Sequence, residues 1–432
     1  MAHTGRTGTW RSLRHRNFQL FFTGQLISLV GTWMQTVAQS WLVYRLTGSS
    51  AQLGLINFAG QIPLFLLSPI AGYAADRFNR VRVVMATQAL SMILAVLLAV
   101  LTLTGQIRIW ELFVLSTMLG VANAFDVPAR QSLFVDMVGR EDLMNAIALN
   151  ASIYNSARMV GPAIAGILVA QIGEGWCFAL NAVSYVAVLI ALRLMKVPPA
   201  AYHKPVGSPW QTIREGFQYS ARTTPFRELL ALLGMISFAG TPYLVLMPIF
   251  ADRILHSGPQ GFGILMASCG AGALAGALLM ASRTEMRAFP SYAFFASSAF
   301  PIVLAIFTWS TGFWLSCAMA SAGSFAIIIQ LNATNTLMQS IVPDRLRGRI
   351  VSMYSMMYLG IGPIGAAAAG FSADSIGPRL TLTVGAAICL LASWTYATRL
   401  PAIRISVREL MRERERTWAE ARAAQTSEPA AI

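Results

Sequence analysis

The chain has 432 residues, 56% of them hydrophobic and only 12% charged, where a soluble globular domain carries roughly 25% charged residues. That balance excludes an ordinary soluble enzyme and points to a polytopic membrane protein. A net charge of +14 and a pI near 10.3 would suggest nucleic acid for a soluble chain, so the placement of the charge has to decide its meaning.

Met1 to Asn17 is polar and basic. The apolar stretch after it is too long for a signal-peptide core, so the first span is expected to be its own insertion signal. Twelve apolar stretches of bilayer length follow, at about 17–44, 51–75, 83–103, 109–129, 144–172, 176–195, 226–250, 259–282, 289–310, 312–334, 349–373 and 378–398. The first carries a polar stripe, Gln25, Ser28, Thr32, Gln35 and Gln39, with Thr36 beside it. At 100° per residue these share one quadrant of a helix. Glutamines facing lipid are costly, so the stripe faces inward, either to a cavity or to neighbouring helices. Asn57 and Gln61 on the second span, Asn123 on the fourth, and Gln330, Asn332 and Asn335 on the tenth admit the same two readings.

Between the second and third spans lies Gly72-Tyr-Ala-Ala-Asp76-Arg77-Phe-Asn79-Arg80-Val-Arg82. Three arginines and an aspartate cannot sit in hydrocarbon, so the loop marks a membrane face. The fourth span ends with Asp126 and Arg130, spaced i, i+4. The fifth holds Arg158 near its middle, where a charge costs at least ~2.5–3.5 kcal/mol. Asn155, Arg158, Pro162 and Gly166 share a face there. Arg158 either meets an anionic or strongly polar group of a substrate or hydrogen-bonds carbonyls of a neighbouring helix. No acid lies at mid-membrane depth, so Asp126 is the best candidate if protons drive the protein.

Residues 196–225 form a linker broken by Pro198, Pro199, Pro205 and Pro209. Trp210, Ile213, Phe217 and Ala221 within it predict a short amphipathic interfacial helix. On either side the chain repeats itself. Gly161-Pro162 answers Gly362-Pro363, Ala165-Gly166 answers Ala369-Gly370, and Ile172-Gly173 answers Ile376-Gly377. The counterpart of Arg158 is Leu359, so the fold itself does not require a cation there. The divisions are therefore 1–195 and 226–398, two six-helix halves, with a tail at 399–432. The tail's Arg and Glu at short helical spacing favour an exposed helix, with Val407, Leu410, Met411 and Trp418 on a modest apolar side. Its last ten residues read as disordered.

Of the 32 Lys and Arg residues, 27 fall on one face, which includes both termini and the linker. Only Arg45, Arg108, Arg253 and Arg379 fall on the other. Positive charge thus encodes topology rather than a nucleic-acid partner, and both termini are expected in the cytoplasm. The cysteines and histidines are scattered, which suggests no disulfide framework, metal centre or cofactor.

The 72–82 loop resembles the signature loop Gly-x-x-x-Asp-Arg-x-Gly-Arg-x-Arg/Lys of the major facilitator superfamily of secondary transporters. Asn79 stands where the pattern has Gly, and Asn tolerates a left-handed turn. The resemblance covers about residues 12–398. It implies an all-α fold of twelve transmembrane helices in two pseudo-symmetric halves, with the site between them. It also implies that Asp76 lies near the start of the eleventh helix and that a loop arginine reaches a fourth-helix carboxylate, here Asp126. Gly72, Asp76, Arg77, Arg80, Asp126 and Arg130 would then form a cytoplasmic gate, the alternative being a plain topological anchor with no gating role. First helices line the cavity in this family. Gly161-Pro162 with Gly166 resembles part of the antiporter motif of drug exporters. The segments 126–131, 142–150, 157–162 and 346–349 are similar to the enterobactin-exporter-like branch. That branch implies a proton-driven, monomeric exporter of siderophores or drugs in a bacterial inner membrane. A lysophospholipid flippase of the same fold is the alternative. An intramembrane hydrolase or acyltransferase would need a Ser/His/Asp or paired-acid centre, and no histidine lies within a span.

Overall fold

The computed structural model describes residues 10–197, 209–283, 285–343 and 346–427, and every regular element among them is a helix. A short turn at Arg11–Arg14 precedes α1 (Arg16–Thr47), α2 (Ser50–Arg77), α3 (Arg80–Leu103), α4 (Ile109–Ile172) and α5 (Glu174–Leu194). The linker helix is α6 (Pro209–Arg222). Then come α7 (Thr224–Ile254), α8 (Gly258–Ala281), α9 (Phe289–Trp309), α10 (Phe313–Ile341), α11 (Arg347–Ile376) and α12 (Pro378–Ser427).

Ten helical stretches among the described residues are long and apolar enough to cross a membrane. One of them, α4, runs for 64 residues and breaks at Gly139, where φ is 72° and ψ 178°. Only glycine adopts that backbone without strain. The arms on either side, 109–138 and 140–172, each have the length of a span. The 32 residues of α1 supply the twelfth crossing, made more polar by its stripe.

Four expectations need correction. The fourth span reaches residue 138, not 129. Pro128 stays inside the helix, and Leu133, Phe134 and Met137 bury the extension against Phe18 and Phe21, with Phe21 and Phe134 edge to face at 5.5 Å. Asp126 consequently sits deeper than its place near a predicted span end implied. Second, Asn79 makes no left-handed turn. Its φ is −61°, and its side chain accepts the Arg82 N–H as the N-cap of α3. Third, α6 turns Gly216 and Ser220 inward, Gly216 lying against Arg349, while Phe217 is exposed; the side chains of Trp210 and Ile213 lie outside the described residues. Fourth, α12 continues as helix to Ser427, and its Ile403 and Val407 are buried in the main core.

Lipid is as apolar as leucine, so membrane helices associate by close packing of small residues rather than by burial. Two such seams join the first six spans to the last six. Where α2 meets α11, a Cβ on Gly54 would lie 2.5 Å from the Ala366 carbonyl, and one on Gly370 equally close to that of Ser50. Where the second arm of α4 meets α8, a Cβ on Gly263 would lie 2.5 Å from the Gly166 Cα, and one on Gly270 would lie 2.5 Å from the Arg158 carbonyl. At all four positions the obstacle is backbone.

The N-terminal turn is fastened to the start of the second α4 arm. Ser12 donates its N–H and hydroxyl to Asn145 Oδ1 at 2.9 and 2.7 Å. His15 Nε2 lies 2.8 Å from Asp142, which also pairs with Arg11. The His15 hydrogen bond, with the Arg11 charge behind it, holds the Asp142 carboxyl below the usual carboxylate range. A depressed acid contributes docking strength above its unfolded value of about 3.9 and loses it as pH falls through the lower folded value. Hydrogen exchange of the 11–20 peptide should therefore show protection lost on acidification below about pH 4. Asp142→Asn should be less protected at neutral pH and should lack this acid transition.

Candidate substrate path and gates

Among the described residues, the polar contacts between the two sets of spans gather at one end. The Tyr44 hydroxyl donates to Asp252 at 2.6 Å. Arg253 donates to the Gly48 carbonyl at 2.9 Å and stacks over the Tyr44 ring at 5.7 Å. Asp374, at the end of α11, accepts from Ser49 Oγ, Ser50 N–H and Ala51 N–H at 2.6, 2.7 and 3.1 Å. These amides open α2 and have no partner within their own helix. A carboxylate there is also favoured by the helix dipole. Asp374 therefore caps a helix belonging to the other set of spans.

The opposite end is looser. A Cβ on Gly72, or on Gly348 at the start of α11, would meet nothing within 4 Å. Arg77 donates to Tyr73 of its own helix at 2.6 Å. The Asp76 side chain lies outside the described residues. Arg80 pairs at 2.8 Å with Asp136, not with Asp126. The reason is the longer fourth span, which brings Asp136 level with the loop and leaves Asp126 farther in.

Asp126 is buried. It accepts from Thr87 Oγ1 and Gln88 Nε2 of α3, both at 2.9 Å, and pairs with Arg130 at 3.2 Å. Beside it the buried Gln88 Oε1 has no hydrogen-bond partner.

The predicted cavity residues divide. Gln35 accepts from Asn181 of α5 at 2.6 Å, and Gln39 donates to Ser116 of α4 at 2.6 Å, so both join helices within the first six spans. Gln25 is buried with its Oε1 unpaired. Thr32, half-buried, bonds back to Ser28 on its own helix. Gln61 donates to Asn57 at 2.8 Å along α2. Asn123 is exposed, Asn332 is half-buried, and Asn155 bonds back to Ala151.

Arg158 is half-buried where the second α4 arm crosses α8. Its guanidinium lies 5.5 Å over the Trp33 ring, and Trp33 meets Tyr154 edge-on at 5.7 Å. Among the described residues it makes no hydrogen bond or ion pair. Gly161 lets Trp33 approach, because a Cβ there would lie 2.6 Å from the Trp33 Cβ. Pro162 and Gly166 belong to the α8 seam. Gly362 is loosely packed and Pro363 buried, so Gly365 and Gly370 make the tight approaches of α11.

Tyr44, Asp252, Arg253, Asp374 and Asp136 were missed in the sequence. The sparsely charged face carries four cations and also four acids, Glu111, Glu174, Asp252 and Asp374, but of these only Arg45 and Glu174 form an ion pair among the described residues. Asp252, Arg253 and Asp374 meet hydroxyls and backbone groups, which charge balance does not signal.

A family model described as "Transmembrane secretion effector" matches residues 7–425. The chain is 25% identical to the staphyloferrin A transporter of Staphylococcus aureus over 84% of its own length and 91% of that protein. It is 27% identical to the multidrug efflux pump Tap of Mycobacterium tuberculosis, over 89% and 93%. It is 26% identical to the enterobactin exporter of Escherichia coli, over 82% and 85%. In fold it is similar to a bacterial homologue of the lysosomal transporter Spinster, solved inward-facing and unoccupied, with TM-score 0.67, 17% identity and coverage of 94% and 99%.

Proposed function

Because the chain belongs to the transmembrane secretion effector family of major facilitator transporters, we propose that it exports an amphipathic siderophore or drug by alternating access. Members of this family are membrane transporters, not enzymes. In our reading the chain works as a monomer in the inner membrane, and residues 1–195 and 226–398 are the two rocking halves. The arginine-rich face is cytoplasmic. The Tyr44–Asp252–Arg253–Asp374 latch is then the periplasmic gate, closed here, and the 72–82 loop is the cytoplasmic gate, open here. Reversal would bring Gly72, Asp76 and Arg77 against the start of α11. The coupling ion is a proton carried by Asp126, between Gln88 and Arg130.

One observation carries the substrate reading. Arg158 lies at mid-span, stacked on an aromatic ring, with no acid paired to it among the described residues. An unpaired guanidinium at that depth is costly unless it meets a polar ligand. It therefore recognises a negative or acceptor-rich part of the substrate, and Trp33 and Tyr154 offer aromatic faces beside it. Arg158→Gln should lose substrate binding by about tenfold or more, the size of one charge-assisted contact, yet keep its melting temperature. Arg158→Lys should retain part of the affinity, since it keeps the charge and loses the planar fork. A Gln variant that melts far below the parent, with a folded fraction binding substrate normally, would make Arg158 a structural residue.

A further inference from the structure

A second site lies at the arginine-rich end, away from the path between the halves. A cavity of about 560 Å³ is lined by Glu285, Met286, Arg287, Arg408, Met411 and Arg412. Two elements build it. The turn before α9 brings Glu285, Met286 and Arg287, and α12 brings Arg408, Met411 and Arg412. Arg408 and Arg412 are spaced i, i+4 and so share a face. Met286 and Met411 are half-buried against the main core and form an apolar floor, while the three arginines and Glu285 are exposed. Among the described residues none of these four charged groups forms an ion pair. Three cations face one acid, so the cavity carries net positive charge.

The surroundings place it at a bilayer surface. Arg404, one turn before Arg408, donates to Ser291 at the start of α9, and Ile405 beside it is an exposed apolar side chain. An apolar floor under a ring of guanidiniums matches a phosphate attached to a hydrocarbon body. Guanidinium forks bind phosphate oxygens in pairs, which a free rim of arginines leaves available. Basic pockets at the cytoplasmic surface are suited to acidic headgroups.

We propose that this cavity binds the phosphate of an anionic phospholipid of the inner leaflet and thereby holds α12 against the turn before α9. The leaflet assignment rests on the cytoplasmic placement of the arginine-rich face given above; the binding chemistry does not.

The test is native mass spectrometry of the full-length protein in detergent, titrated separately with phosphatidylglycerol, phosphatidylethanolamine and inorganic phosphate. Phosphatidylglycerol should be retained at least about tenfold more tightly than phosphatidylethanolamine, and Arg408→Gln/Arg412→Gln should lower its retention by about tenfold or more. Arg287→Gln, on the other element, should lower it in the same direction. Millimolar phosphate should not displace the lipid. Unchanged retention in the double variant and in Arg287→Gln would overturn the proposal, as would equal retention of the two lipids. Displacement by phosphate would make this a site for a soluble anion instead. A melting curve for each variant separates lost binding from lost folding. Because neither substrate nor a gradient enters the measurement, a failed transport assay and an empty pocket are distinguishable.

Discussion

Gly263→Val should abolish transport, reducing it below about one hundredth of the parent rate, while the protein still inserts and folds. A Cβ at this position would sit 2.5 Å from the Gly166 Cα and 2.7 Å from the Pro162 carbonyl. Both neighbours are backbone of the second α4 arm, and neither can rotate away as a side chain could. Close-packed interfaces do not absorb an extra group cheaply; overpacking costs typically ~1–3 kcal/mol even where the surroundings can shift. Valine adds two methyl groups beyond the Cβ, so the seam must separate. The cost falls on one state alone, the one in which the two sets of spans touch here. A state-specific penalty shifts the conformational balance, whereas an equal penalty would not. A cysteine at Ser257 should then become reactive to a membrane-impermeant thiol reagent in the valine variant. Gly54→Val, at the α2–α11 seam, should act alike. Normal transport with an unchanged labelling rate would show that the seams are incidental.

Asp374→Ala should open the same end by a different route. It removes the acceptor for three donors of another helix, Ser49 Oγ, Ser50 N–H and Ala51 N–H. Hydrogen bonds to a charged group contribute ~1.5–3 kcal/mol each before competition with water, and a carboxylate at a helix N-terminus adds ~0.3–1 kcal/mol. Water replaces these partners once the end opens, so the net bias is about 2 kcal/mol, roughly a thirtyfold shift in population. Spin labels at Gln106 and Thr311, exposed loop positions in opposite halves, should show the longer-distance population rise. Asp374→Asn keeps one acceptor oxygen and should shift less. Identical distance distributions in wild type and the alanine variant would remove Asp374 from the gate.

What the sequence made legible was whatever rests on composition, period or spacing. The apolar stretches, the repeat across the linker and the arginine asymmetry each depend on many residues, so single exceptions did not matter. The family assignment followed from them and from the 72–82 loop, and the match over residues 7–425 bears it out. Contacts between distant helices were not legible. Gln35 and Gln39 share the predicted stripe, yet each finds a partner inside the first six spans, because a polar stripe gives direction without naming the facing element. The resemblance implies Asp126 as the partner of a loop arginine, with the fourth span ending near residue 129. The helix instead continues, and Asp136 meets Arg80. The latch is built from one tyrosine, two acids and one arginine at the ends of three separate helices, a pattern with no period. The π turns at Ile236–Gly240, Phe250–Ile254 and Met356–Gly360 insert register shifts that no hydrophobic repeat announces.

The most direct test of proton-driven export is accumulation in inside-out vesicles with an acidified lumen. Vesicles holding the wild type, Asp126→Asn or neither would be offered a labelled panel of siderophores and amphipathic drugs from the outside. Wild type should concentrate at least one compound in the lumen, a protonophore should abolish the accumulation, and Asp126→Asn should bind that compound without concentrating it. Accumulation that persists both without the gradient and in Asp126→Asn would contradict proton coupling through this carboxylate, and accumulation of no compound by the wild type would contradict export itself.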